Sequence, residues 1–371
     1  MRLILTDEQR DLAGSVRAFL AGTAPMARVR AVAESGEPYD RDVWTRTAGE
    51  LGLAGLAVPE AHGGSGAGHA EVAVVMEELG AALTPSPYLA SAVLAADLLV
   101  ALGDEAAAET EDLLPGIASG TTVAAFAHPE PGAPLPSAER AGGGHVLDGR
   151  VPRLLNGADA DLLLVVADLR GEAGGTAVFA VEAGASGLAR HPLTTLDLTR
   201  PQARVELAGT PARLLGTPGA GTAAALARAL DLASVAVAAG QLGGLRRCLD
   251  VIVEYAGLRV QFGRFVGSFQ GVKHKLADMH CTLEQAESIV RYAAWTADES
   301  PEELPVAAAL AQAFVGGAAF RVAKDHLLLH GGIGFTWEHD AHLYYKRAKG
   351  DELLLGPPRV HRARLAERLG L

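Results

Sequence analysis

The sequence predicts an α+β fold running helices, strands, helices, and three observations carry that prediction. Helical apolar spacing fills positions 1–118, short apolar runs between Gly- and Pro-rich turns fill 119–215, and long helical stretches fill 216–371. Strands segregated from helices, with no βαβ alternation, argue against a doubly wound dinucleotide-binding sheet. A chain of 371 residues is expected to fold as two or three closely packed subdomains.

The elements follow in order. Thr6-Asp7-Glu8-Gln9 is a capping-box pattern, and Leu12, Val16, Phe19 and Leu20 then share one helical face. Further helices are expected around Val43–Leu51, Ala70–Leu79 and Ala90–Leu102. In the middle part, Thr121–Phe126, Asp161–Ala167, Thr176–Val181 and Ala203–Leu207 resemble strands. Pro131–Pro136, Ala141–Gly144 and Gly171–Gly175 read as loops. Ala223–Leu258, Gln270–Ala297 and Pro305–His330 are long helices, and a tail of Leu353–Leu371 closes the chain.

Composition narrows the function. Apolar residues make up 49% but aromatics only 5%, so Ala, Leu and Val build the core and favour close helix packing. A net charge of −12 opposes nonspecific binding to nucleic acid or an anionic membrane. No window of about 18 residues looks free enough of charge and Gly to span a bilayer. The start, Met1-Arg2-Leu3 with Asp7, Glu8 and Asp11 soon after, lacks a signal-peptide core, and a cytoplasmic protein is expected. Cys248 and Cys281, the only cysteines, lack metal-ligand spacing and are expected to be buried, inert thiols.

Three stretches carry chemistry. The first is Arg259-Val260-Gln261-Phe262-Gly263, followed by Gly267-Ser268-Phe269-Gln270, His274 and Leu276-Ala277-Asp278-Met279. Here Arg259 is placed at the end of a long helix, where a guanidinium can bind a pyrophosphate bidentately, and Gly263 and Gly267 permit close backbone approach. The second is His330-Gly331-Gly332-Ile333-Gly334-Phe335, whose bare amides suit a nucleotide edge. The third is Val58-Pro59-Glu60 running into Gly63-Gly64-Ser65-Gly66, with Met76-Glu77-Glu78-Leu79-Gly80 after it. Together these stretches resemble the acyl-CoA dehydrogenase family, in the family's order and across essentially the whole chain.

The resemblance implies an N-terminal helical domain, a middle β domain and a C-terminal four-helix bundle. It also implies FAD as cofactor, an acyl-CoA substrate, and loops that reach across a subunit boundary to a neighbour's flavin. On that basis Arg259, Gln261, Phe269, Gln270, Gly331 and Gly332 are expected to contact FAD held mainly by an adjacent chain. The family often has Gln three residues before the double Gly, where this chain has Leu328.

The chain's own half of such a site departs from the family. Where members carry Thr-Glu-Pro-Gly-x-Gly-Ser, this chain reads Pro129-Glu130-Pro131-Gly132-Ala133-Pro134-Leu135. The family's flavin-stacking Trp-Ile-Thr is replaced by Arg153-Leu154-Leu155, and its C-terminal Thr-x-Gln by Pro357-Pro358-Arg359. The two positions where members place the catalytic Glu hold Leu355 and Ala233, neither able to take a proton. Asp231 and Glu352 are the nearest acidic substitutes; Asp231 points to another helix face, and Glu352 would serve only after a register slip.

Other motifs have plainer readings. His62-Gly63-Gly64-Ser65-Gly66 lacks the strand–turn–helix setting of a hydrolase nucleophile. His326 and His330 read as a satisfied helix-end pair, not metal ligands, and Lys346, Arg347 and Lys349 as a solvated basic turn. Three functions stay open. The chain is a heterotetramer subunit completing the FAD site of a homologous acyl-CoA dehydrogenase, as in some actinobacterial enzymes for sterol side-chain fragments. Alternatively it is a self-sufficient homo-oligomeric dehydrogenase with another base, or a flavin-free member recruited to a structural or other role. Electron-transfer flavoprotein is an acceptor the resemblance admits.

Overall fold

Thr6 begins the first helix as its spacing predicts. The Gln9 amide donates to the Thr6 hydroxyl at 3.2 Å, and the Thr6 amide donates to the Gln9 side chain at 3.1 Å. In the computed structural model, residues 3–103, 110–130, 132–171 and 175–371 are described. The first run of helices comprises α1 (Asp7–Thr23), α2 (Met26–Ser35), α3 (Arg41–Gly49), α4 (His69–Ala81), α5 (Ala96–Leu102) and α6 (Leu114–Ala118). A π-helical stretch, Leu89–Ala95, leads into α5. Seven strands follow: β1 (Ala124–Ala127), β2 (Ser137–Ala141), β3 (Gly144–Leu155), β4 (Leu162–Leu169), β5 (Gly175–Glu182), β6 (Leu188–Pro192) and β7 (Gln202–Leu215). Then come α7 (Ala220–Leu258), a hairpin of β8 (Val260–Gln261) and β9 (Arg264–Phe265), α8 (Gln270–Glu299), α9 (Leu304–Leu329), α10 (Ala341–Leu354) and α11 (Pro358–Arg368). The α+β order of helices, sheet and helices is therefore the observed one.

Two compact units divide the chain. One gathers Met1–Ala31, His69–Thr84 and Ser234–Leu371; the other gathers Val32–Gly68 and Pro85–Ala233.

The first unit is helical. Its tightest seam joins α4 and α7 through glycines. A Cβ on Gly80 would lie 2.0 Å from the Gly240 carbonyl oxygen, and one on Gly243 would lie 1.9 Å from that of Glu77. Beside this seam the buried Glu77 and Arg291 form a two-pronged ion pair, one bond being 3.0 Å, and Arg17 grips Glu78 through two bonds of 2.9 and 2.6 Å. Burial disfavours the Glu77 carboxylate and raises its pKa, while Arg291 pulls it back down.

Helices α7 and α9 correct one expectation. Each contains an 18-residue window apolar enough to cross a membrane, with mean hydropathy 1.5. Alanine-rich composition hides these windows from a search for unbroken large apolar residues. The windows are 72% and 61% buried inside the structure, the pattern of core helices.

The second unit centres on the sheet. Its ladder runs β4-β2-β3-β7-β5, and because β5 also pairs with β4 it closes on itself; β1 joins β4, and β6 joins β7. Alternate residues Leu163, Val165 and Ala167 on β4, with Ala177, Phe179 and Val181 on β5, fill one core with Leu147, Val205 and Leu207. Strands β2, β3 and β6 escape the sequence reading. In β3, Gly149 and Pro152 interrupt the apolar alternation, and both lie at or beside shifts of register against β7. Ala141 and Gly144 are strand residues paired across a two-residue turn. Gly175 likewise begins β5, while residues 172–174 lie outside the described residues.

Candidate functional site

Two outward loops hold the residues expected at a neighbour's cofactor, and both belong to the helical unit. The first leaves the end of α7, where the Arg259 amide donates to the Tyr255 carbonyl at 2.9 Å. Phe262 and Gly263 then turn the β8–β9 hairpin with φ of 51° and 74°. Two successive left-handed residues match the twist of the flanking strands in a two-residue turn. Arg259, Gln261 and Gln270 are exposed, and Phe269 is half-buried beneath the Arg264 guanidinium, 3.9 Å from its ring. Gln261 is tied only to its own loop, donating to the Val260 carbonyl at 2.9 Å. The Arg259 guanidinium makes no hydrogen bond or ion pair with any described residue. Gly267 serves packing rather than a ligand, since a Cβ there would lie 2.9 Å from the Ala256 carbonyl oxygen.

The second loop leaves the end of α9. Gly331 and Gly332 are exposed, and Gly331 has φ 68°. Gly334 is buried because its backbone folds onto α9, where a Cβ would meet the Leu327 carbonyl oxygen at 2.3 Å. Around the two loops the helical unit exposes Phe262 (92%), Leu258 (71%), Phe335 (66%) and Trp337 (66%). Apolar side chains this open are unfavourable in water and mark a surface fit for covering.

A histidine cluster underlies the second loop. His330 and His339 have ring centres 4.2 Å apart, and His326 and His330 4.5 Å apart. His326 donates through Nδ1 to the Cys248 carbonyl at 2.8 Å, and His330 through Nδ1 to the His326 carbonyl at 2.8 Å. Burial, with His330 adding to it, pushes His326 down to about 3, and burial also lowers His330 and His339. The i, i+4 spacing of His326 and His330 thus serves helix-end hydrogen bonding. Among the described residues no group of three or more His, Cys, Asp or Glu is arranged to hold a metal ion.

The sheet unit holds Glu130 and Arg153, Leu154 and Leu155, the positions expected from the resemblance to face the chain's own flavin. Arg153 and Glu130 engage each other there through two bonds of 3.1 and 2.8 Å. Leu154 and Leu155 are buried in the sheet, and Pro131 lies outside the described residues. An ion-paired guanidinium offers no ring to stack on a flavin, and Leu155 offers no hydroxyl. These residues do not fit isoalloxazine, whereas the outward loops, with an unengaged guanidinium, exposed glycines and aromatic edges, fit a dinucleotide.

The two positions expected to carry the family's base hold an alanine and a leucine. Ala233 is fully buried in α7, and Leu355 caps α10. Asp231 is 2% exposed and already engaged within the protein. Glu352 is held by Lys349 at 2.6 Å. Two further expectations change. Cys248 is buried, with its thiol pushed up by desolvation, but Cys281 is exposed. Lys346, Arg347 and Lys349 lie on helix α10, not in a turn, and Arg347 is buried.

Comparison with known proteins gives the family and the fold. Residues 6–121 match the acyl-CoA dehydrogenase N-terminal domain and residues 219–370 the acyl-CoA dehydrogenase C-terminal domain. The chain is 35% identical to acyl-CoA dehydrogenase IpdE2 of Mycobacterium tuberculosis, over 95% of this chain and 94% of that one. The ChsE4–ChsE5 complex from Mycobacterium tuberculosis superposes with a TM-score of 0.90 at 31% identity, covering 100% of this chain and 99% of that one. The Tcur3481–Tcur3483 steroid ACAD gives 0.87 at 31% identity, with 98% of each chain covered. The chain belongs to the acyl-CoA dehydrogenase family, whose members are FAD-dependent oxidoreductases.

Proposed function

We propose that this chain is the flavin-completing subunit of a heteromeric acyl-CoA dehydrogenase. In such an assembly a homologous partner supplies the catalytic Glu and most of the FAD site, and this chain supplies Arg259, Gln261, Phe269, Gln270, Gly331 and Gly332. FAD, when bound, supplies the hydride acceptor for α,β-dehydrogenation of an acyl-CoA thioester. Arg259 would neutralise and orient the pyrophosphate, and the Gly331–Gly332 backbone would lie along the nucleotide edge. The aromatic rim would exclude water once covered.

One observation carries the reading: Arg259, Gln261, Gln270, Gly331 and Gly332 stand exposed and the Arg259 guanidinium engages no described residue, while the positions expected to face the chain's own flavin hold the Arg153–Glu130 pair. The superposition on the two-component ChsE4–ChsE5 and Tcur3481–Tcur3483 proteins supports it, the latter a steroid ACAD. A steroid-derived acyl-CoA is accordingly the substrate class we assign, with a cytoplasmic assembly and electron-transfer flavoprotein as its acceptor. Flavin content tests the assignment. The chain produced alone should carry little FAD, and co-production with a Glu-bearing homologue should yield one flavin per pair of chains. Full, substrate-reducible flavin in the lone chain would overturn it.

A further inference from the structure

We infer that Tyr255 and His330 form a strut setting the spacing of the two outward loops, and that they act as positioning residues for the flavin those loops hold. The flavin half rests on the assembly proposed above; the coupling of the loops does not.

Each loop springs from one end of the strut. Tyr255 lies four residues before Arg259 and accepts its amide at 2.9 Å, so any movement of Tyr255 is passed to the hairpin. His330 immediately precedes Gly331, at the end of α9. The Tyr255 hydroxyl donates to the His330 carbonyl at 3.3 Å, and the two ring centres lie 4.6 Å apart. A carbonyl in the last turn of a helix has no partner within that helix, so a side-chain donor from α7 meets a real requirement. His330 is also held from behind. Its Nδ1 donates to the His326 carbonyl, and its ring packs on His339. His326 in turn donates to the Cys248 carbonyl on α7. Two crosslinks thus join α7 to α9, one where both helices release their loops and one about three turns earlier along α7. A tyrosine kept only for packing would need no hydroxyl on that carbonyl.

The test uses amide hydrogen exchange on the intact lone chain, comparing wild type with Tyr255→Phe and His330→Leu. Tyr255→Phe removes one hydroxyl and keeps the ring, and His330→Leu keeps the carbonyl and removes the imidazole. In Tyr255→Phe, amides in 260–269 and 331–336 should exchange about threefold to tenfold faster together, with 235–250 unchanged. His330→Leu should accelerate the same two segments. Acceleration of one segment alone, or of neither, overturns the strut. The second measurement is flavin dissociation from the complex co-produced with a Glu-bearing homologue, where Tyr255→Phe should speed release severalfold. Coupled loops with unaltered flavin release would overturn the positioning role and leave the strut standing. Full flavin in the wild-type lone chain would instead refute the proposed assembly.

Discussion

The sheet unit and the helical unit treat charge in opposite ways at the positions expected to face a flavin. On the sheet, Arg153 is consumed by Glu130 within the same unit. On the helical unit, the Arg259 guanidinium is exposed and engages no described residue. A guanidinium held in solvent by a structured turn gains little for the free chain, and it becomes useful only when an anion arrives. Under the proposed assembly, the difference means that family features are lost from one unit and kept in the other as separate events. Decay spread evenly over the chain would blur them.

Four experiments break or sharpen this contrast. The largest effect is expected from Arg259→Ala in the co-produced complex. Loss of a charge-assisted contact to pyrophosphate should weaken flavin retention by about 2 kcal/mol, roughly thirtyfold, measured by flavin release. Retention unchanged by that substitution would remove the contrast altogether.

Acid should act next. His326 is held at about 3, well below the ordinary imidazole value of 6.5, with Arg247 and His339 adding to burial. A depressed imidazole means the unfolded chain takes up protons first. Its contribution is complete above about pH 6.5 and declines as pH falls toward 3. At pH 5 one such group removes about 2 kcal/mol of stability. Thermal unfolding at pH 7 and 5 should show the fall, and His326→Gln should flatten it. Arg30 opposes protonation of the neighbouring His339, and Asp340 favours it.

Phe262→Asn should stabilise the lone chain by about 1 kcal/mol, because asparagine tolerates the left-handed backbone that phenylalanine resists. The same change should weaken association with the homologous subunit. A rise in Tm with undiminished assembly would show that the exposed ring is idle. The smallest effect belongs to Arg153→Met. Breaking its partly exposed pair with Glu130 should alter stability by less than about 1 kcal/mol and leave the partner's flavin content untouched. A flavin deficit in that variant would place cofactor on the wrong face.

Much of this was legible in the residues. The Thr6 capping box, the three long helices and strands β1, β4, β5 and β7 announce themselves through local pattern. Strand β3 did not, because Gly149 and Pro152 break its alternation. Helix α10 did not either, since its polar and apolar residues are spread round the helix with no clear stripe. At the site, Arg259 and Gly331–Gly332 carry short contiguous motifs. The histidine cluster was hidden because His339 joins His326 and His330 only through the fold. Glu130 was visible as a residue, but its grip on Arg153 spans 23 positions and depends on how the sheet closes.

The glycine contact between α4 and α7 bears on how firmly Arg259 can be aimed. Side chains interlocked between helices can hop among rotamers and let the axes slide, but bare backbones pressed together have no such freedom. Gly80 and Gly243 therefore make α7 a stiff boom, clamped near its middle and free at the tip that offers a cation to whatever docks there. Lengthening either residue by a single carbon would swing that tip before it touched any residue of the loop itself.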